Sequence, residues 1–155
     1  MTTHLVTGGA GFIGSHLARR LVEQGGQVKV LDNLATGFPD NLADIRSNLE
    51  FIEGNIQDSA TMSHAVKGVD YVFHLAALPS VQRSIQYPLE SESVNALGTL
   101  QVLESAREAK VRRLIYASSS SVYGNTPTLP KREDQTPHPL SPYAISKLTG
   151  ERYCQ

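Results

Sequence analysis

Short apolar runs alternate along this chain with segments of helical periodicity. The runs are His4–Thr7, Val28–Leu31, Leu49–Ile52, Tyr71–Leu75 and Leu114–Ala117. Each is brief and apolar on both faces, as a strand buried in a parallel sheet must be. Phe12–Glu23 repeats its apolar positions at helical spacing. Ser59–Val66 does so over a shorter span, with Asp58 or Ser59 as its N-cap. Leu89–Ala109 is a long helical pattern with Leu100, Leu103, Ala106 and Ala109 on one stripe. Strand alternating with helix predicts an α/β fold, a doubly wound parallel sheet with right-handed crossovers. There is no internal repeat and no low-complexity linker, so residues 1–155 read as one domain. The proline-rich stretch Thr126–Pro142 reads either as an ordered loop on the ligand side or as a plain surface excursion.

The first strand runs into Thr7-Gly8-Gly9-Ala10-Gly11-Phe12-Ile13-Gly14, and a helix follows. Strand, glycine turn and helix in that order are the setting of a dinucleotide site. Glycine permits a tight turn, close backbone approach to a pyrophosphate and close packing of helix on strand. The bare N–H groups and the dipole of the helix start then face the phosphates. The second run ends at Asp32, 18 residues beyond Gly14. A carboxylate there can accept the ribose hydroxyls of the adenosine half and repels a 2′-phosphate. Asn33, Leu34 and Ala35 follow, with no arginine, which favours NAD over NADP.

Net charge is −1, which gives no electrostatic case for nucleic acid or an anionic membrane. No apolar run approaches the roughly 20 residues of a membrane span, and Met1–His4 resembles no signal peptide. One cysteine, Cys154, excludes an internal disulfide, and a reducing cytoplasm is the natural expectation. It has no His or Cys neighbour at metal-ligand spacing, so no metal is expected.

Tyr143 and Lys147 lie four apart in the last helical segment and so share a helical face. An ammonium beside a phenol favours the phenolate, and the pair can then act as a base. Taken alone, such spacing arises often by chance. Ala117-Ser118-Ser119-Ser120-Ser121 closes the preceding strand, where open α/β sheets bind their ligands. A hydroxyl there can bond a substrate oxygen, although four serines leave the register open. Phe73-His74-Leu75-Ala76-Ala77 ends another strand in small residues that let a cofactor lie against the backbone. His74 itself reads as a strand histidine with a local hydrogen bond.

These pieces, with Asp32-Asn33, Glu53-Gly54-Asn55-Ile56, Asn95 and Gly98-Thr99, occur together and in order. The chain thereby resembles the extended short-chain dehydrogenase/reductase family, in its NAD-dependent epimerase/dehydratase group. Leu129-Pro130-Lys131 and Pro139-Leu140-Ser141-Pro142-Tyr143-Ala144 look most like UDP-sugar 4-epimerases, those for N-acetylated hexosamines included. The resemblance implies a Rossmann fold with NAD as cofactor. It implies that Gly8, Gly11, Phe12, Ile13 and Gly14 hold the pyrophosphate, Asp32 and Asn33 the adenosine ribose, and Asn55 and Ile56 the adenine. The family usually has Asp where Asn55 stands. Leu75, Ala76 and Ala77 would line the cofactor and Asn95 support its nicotinamide side. Tyr143 would be the base, Lys147 its partner and a cofactor contact, and Ser119 the catalytic hydroxyl, with Ser120 and Ser121 facing substrate.

The implied chemistry is oxidation of the sugar 4-hydroxyl, turning of the keto sugar, and reduction on its other face. Related dehydratases carry Asp and Glu where this chain has Ser120 and Ser121, which disfavours elimination of water. A reductase is disfavoured by Asp32. Family members run about twice as far, so this chain corresponds to their NAD-binding half without the substrate domain. A non-catalytic NAD-binding module is therefore the alternative. The resemblance also implies a homodimer formed through the two long helices.

Overall fold

A computed structural model describes residues 1–155. Five parallel strands form one sheet: β1 Thr3–Thr7, β2 Gln27–Asp32, β3 Glu50–Glu53, β4 Tyr71–His74 and β5 Arg113–Tyr116. Their spatial order is β3-β2-β1-β4-β5. The chain winds outward from β1 in one direction, then returns to start again on its other side. That reversal leaves a crevice beyond the carboxyl ends of β1 and β4. Thr7 pairs with Leu31 on one side and His74 on the other, so the strands end level.

Six α-helices are α1 Phe12–Glu23, α2 Ser59–Ala65, α3 Val81–Gln86, α4 Pro88–Glu92, α5 Gly98–Glu108 and α6 Pro142–Tyr153. The strand pleat sends alternate side chains to opposite faces and so builds two cores. Leu5, Leu31 and Val72 meet Met62 of α2 and Val102 of α5. Val6, Val28 and Val30 meet Ala18 and Leu21 of α1 on the other face. Leu42 and Ile45, from a 3₁₀ run over Pro39–Asn48 that the sequence pattern did not announce, complete that second core.

The caps explain where several helices begin. The Asp58 carboxylate accepts the Thr61 N–H at 2.8 Å and starts α2. The Ser141 hydroxyl accepts the Ala144 N–H at 3.1 Å, and Pro142 occupies the first turn of α6.

Two expectations are corrected. The helix expected over Leu89–Ala109 runs without a gap from Pro88 to Glu108, but it widens into one π-helical turn, Ser93–Leu97, between α4 and α5. The buried face of α5 is Thr99, Val102, Ser105 and Ala106, whereas Leu100 is 44% exposed. Of the expected stripe Ala106 is buried and Leu103 half-buried while Leu100 and Ala109 are exposed, so the stripe straddles the edge of the core, where Thr99 and Ser105 share the buried face with Val102. The strands are also not all buried on both sides. β5 is an edge, and Ile115 is 40% exposed there.

Candidate functional site

The crevice beyond β1 and β4 opens into a cavity of about 720 Å³. Its floor is the glycine turn. Gly8 has φ +71°, a left-handed conformation, and a Cβ there would come within 2.7 Å of the Ala76 amide nitrogen. A Cβ on Gly14 would collide with the Gly8 carbonyl oxygen and lie 2.7 Å from Gly9 Cα. Backbone meets backbone at both places, so neither neighbour can step aside. Gly11 is the open end of α1, and Phe12 and Ile13 reach outward along the cavity wall.

Asp32 is anchored by both of its oxygens. Oδ2 accepts the Ala10 N–H at 2.9 Å and Oδ1 the Leu34 N–H at 2.8 Å. A carboxylate has about four lone-pair sites, so capacity remains for a ligand. Asn33 turns back to accept the Ala35 N–H at 3.1 Å, and Asn55 accepts the Gln57 N–H at 3.0 Å. Both line the cavity, as do Ile56, Leu75, Ala76 and Ala77.

Tyr143 and Lys147 line the opposite end of the same cavity, and both are buried. The Tyr143 N–H donates to the Ser84 hydroxyl of α3 at 3.1 Å. Ser84 in turn donates to the Val81 carbonyl at 2.6 Å, so α3 fixes the start of α6. Burial pushes the Lys147 ammonium down to about 8.

Other expected residues fall elsewhere. Asn95 does not line the cavity; it sits in the π turn, fully buried. Its amide accepts the Leu78 N–H at 2.8 Å and donates to the Leu78 carbonyl at 3.1 Å and to the Ser146 hydroxyl at 3.2 Å. It acts on the cavity through Leu78, which does line it. Ser119 and Ser120 line a neighbouring hollow of about 330 Å³ with Lys131 and Glu151, and Ser118 belongs to both spaces. The Ser119 hydroxyl accepts the Ser121 N–H at 3.2 Å and caps a 3₁₀ turn, Ser120–Tyr123. Ser121 lines neither space.

His74 has a larger structural part than a local bond. Its Nδ1 lies 2.7 Å from the Thr7 hydroxyl and its Nε2 2.9 Å from the Thr99 hydroxyl. Thr99 donates its own proton to the Asn95 carbonyl at 2.6 Å. The Thr99 oxygen therefore accepts from His74 Nε2–H, and Nδ1 accepts from Thr7. Thr7 also accepts the Ala76 N–H at 3.3 Å. A single oriented chain thus joins the β4 loop, the strand before the glycine turn and the π turn. Burial lowers the His74 pKa to about 3 and keeps the ring neutral. Thr7 and Thr99 lie within the glycine-turn and Gly98-Thr99 segments, but only the fold shows that both bond the His74 ring, and Ser84, on α3, carries no motif of its own.

The fit to a dinucleotide is direct: a side-chain-free cradle at a helix start, an anchored carboxylate at the end of β2, and a cleft of small residues between. Fold and site together define a Rossmann domain for a nucleotide cofactor, with a Tyr–Lys pair at its far end.

The model of the NAD dependent epimerase/dehydratase family matches residues 4–155. The chain belongs to that family. It is 44% identical over 153 residues to the UDP-glucose 4-epimerase of Mycolicibacterium smegmatis, an alignment covering 96% of this chain and 49% of that protein. It superposes on the UDP-glucose 4-epimerase of Thermotoga maritima, solved with UDP-glucose, with TM-score 0.92 and 40% identity over 98% of this chain and 50% of that one. A dTDP-glucose 4,6-dehydratase from Streptomyces venezuelae, solved with NAD, is equally near in shape, with TM-score 0.93, 36% identity and coverage of 98% and 50%. The chain spans about half the length of the curated relatives it matches. NAD is the cofactor of the family, and no helix is long and apolar enough to cross a membrane.

Proposed function

We propose that residues 1–155 form the NAD-binding half of a nucleotide-sugar 4-epimerase, with a UDP-sugar as substrate. The observation that carries this reading is that Tyr143 and Lys147 line the same cavity as the glycine turn and Asp32. Gly8, Gly11, Phe12, Ile13 and Gly14 hold the pyrophosphate, Asp32 and Asn33 the adenosine ribose, and Asn55 and Ile56 the adenine. Leu75, Ala76 and Ala77 form the wall along the rest of the cofactor. When bound, NAD supplies reversible hydride exchange at the sugar C4.

The chain's own residues handle the proton. Tyr143 takes the proton of the 4-hydroxyl and later returns it. The Lys147 ammonium lines the same cavity and steadies negative charge that develops there. The Ser119 hydroxyl, in the hollow that Ser118 joins to the main cavity, donates to the C4 oxygen with Ser120 beside it, whereas Ser121 lines neither space and is withdrawn as a sugar contact. Serine rather than acid at positions 120 and 121 supports epimerisation over dehydration.

A second reading, NAD binding without turnover, draws on the chain's matching only half the length of its relatives. Titration calorimetry with NAD and NADP, beside an assay with UDP-glucose and UDP-N-acetylglucosamine, separates the two. NAD binding with turnover supports the first reading and NAD binding alone the second. A preference for NADP overturns the role given to Asp32.

The protein is also proposed to form a homodimer through the α4–α5 segment and α6. Leu89 at 86% and Leu97 at 57% exposure support this, with Ile145 half exposed on α6. Light scattering that returns a strict monomer refutes it.

A further inference from the structure

Lys147 is almost wholly buried, yet its ammonium has no acid to pair with. Glu151, one turn further along α6, receives the Ser118 hydroxyl instead. What the ammonium does meet is an aromatic face: Nζ lies 4.3 Å from the centre of the Tyr116 ring. Tyr116 stands at the end of β5, with Ala117 between it and the serine run. Its position is made possible by Gly150, where a Cβ would lie 2.5 Å from the ring carbon bearing the hydroxyl. Glycine inside a helix costs about 1 kcal/mol relative to alanine. The chain carries that cost at the one place where α6 passes over this ring. The His74 ring closes the other side, 5.7 Å from Tyr116 between centres.

We propose that Tyr116 is the positioning residue for Lys147: its ring face holds the ammonium at the cavity wall and favours its charged form without neutralising it. A carboxylate in that place would cancel the field that Lys147 exerts on Tyr143. A ring quadrupole attracts the cation and leaves its net charge intact. The groups facing Lys147 are few. Neutral His74 lies behind the ring, Tyr143 shares the helix, and Glu151 and Cys154 act on it through space. The tyrosine hydroxyl is not the active part, since it meets other groups, the Lys147 carbonyl at 3.4 Å and the Thr99 side chain.

The consequence for Tyr143 rests on the proposed function, but the test does not. Phenylalanine and its mono-, tri- and pentafluoro forms are placed at position 116, and the Lys147 pKa is followed by NMR at Cε and Nζ. The rings are nearly equal in size, so the fold is kept while the quadrupole weakens and then reverses. Tyr116→Phe should leave the Lys147 pKa near its value of about 8. Along the fluorinated series it should fall stepwise, by about one unit in all. A pKa constant across the series, even with a changed melting temperature, means that Tyr116 is only a shelf and overturns the proposal. Turnover and NAD affinity do not enter the measurement, so its failure is separate from failure of the functional reading.

Discussion

Acid should unfold this domain through His74. Burial holds its pKa at about 3, against 6.5 for the free imidazole, with the Lys147 charge a smaller cause. Between those two values the unfolded chain binds a proton that the folded chain refuses. The stability owed to the neutral ring is therefore complete above pH 6.5 and is lost progressively as pH falls toward 3. Each pH unit in that window removes about 1.4 kcal/mol. About 2.7 kcal/mol is gone by pH 4.5 and about 5 kcal/mol at the bottom of the window. Domains of this kind have roughly 5–15 kcal/mol in total, so the loss is decisive. Carboxylates held low by their partners, Asp58 and Glu104 among them, add losses of their own in stronger acid. The comparison therefore belongs above pH 4.5, against a variant that cannot titrate. His74→Gln offers one acceptor to Thr7 and one donor to Thr99 and carries no proton. Urea unfolding at several pH values should give a wild-type slope about 1.4 kcal/mol per pH unit steeper than that of His74→Gln. Parallel lines would refute the reasoning and mean that the ring is hydrated or protonates in place.

Other perturbations test the site piecewise. Gly14→Ala gains about 1 kcal/mol of helix propensity but presses a methyl into backbone, which costs about 1–3 kcal/mol or more; calorimetry should show NAD affinity lost. Ser84→Ala leaves the Tyr143 N–H without its buried partner. It should cost about 1–3 kcal/mol in chemical denaturation and lower any turnover more than NAD affinity. Lys147 contributes with the opposite pH range from His74. Its pKa falls from 10.5 to about 8, so its burial costs most below pH 8 and the cost is relieved as pH rises toward 10.5. Wild type should therefore lose less stability than Lys147→Met between pH 8 and 10 in matched melts. Tyr143→Phe should bind NAD normally while losing activity, and loss of NAD binding would refute the assigned role.

The sheet was legible because buried parallel strands leave unbroken apolar runs, and α1 was legible to the residue because a glycine turn fixes its start. At the proposed cofactor end Gly8, Gly14 and Asp32 stand out by their fixed spacing after a strand, and the fold sets all three on one cavity. The α4–α5 segment is harder to read for a physical reason. Its buried face mixes Ser91, Asn95, Thr99 and Ser105 with Ala96, Val102 and Ala106, while Leu89, Leu97 and Leu100 are exposed. Polarity along that helix does not report depth, because hydrogen-bonded side chains are buried there beside hydrocarbon. Ser84 is likewise one polar residue among many until the fold sets it beside Tyr143, and the bonds of Thr7 and Thr99 to His74 appear only in the fold. Tyr116 carries no signal in the sequence, because its role depends on Gly150, 34 residues further along and on another element.

The double anchoring of Asp32 has an evolutionary consequence. The carboxylate proposed to reject a phosphorylated ribose also ties the glycine turn to the loop after β2, through Ala10 and Leu34. Coenzyme preference and loop architecture are thus traits of one side chain. A lineage drifting toward NADP could not simply exchange Asp32 for a small or basic residue, since two loop amides would be released by the same step. A replacement tether must arise first, so cofactor choice in such a domain is inherited far more readily than it is revised.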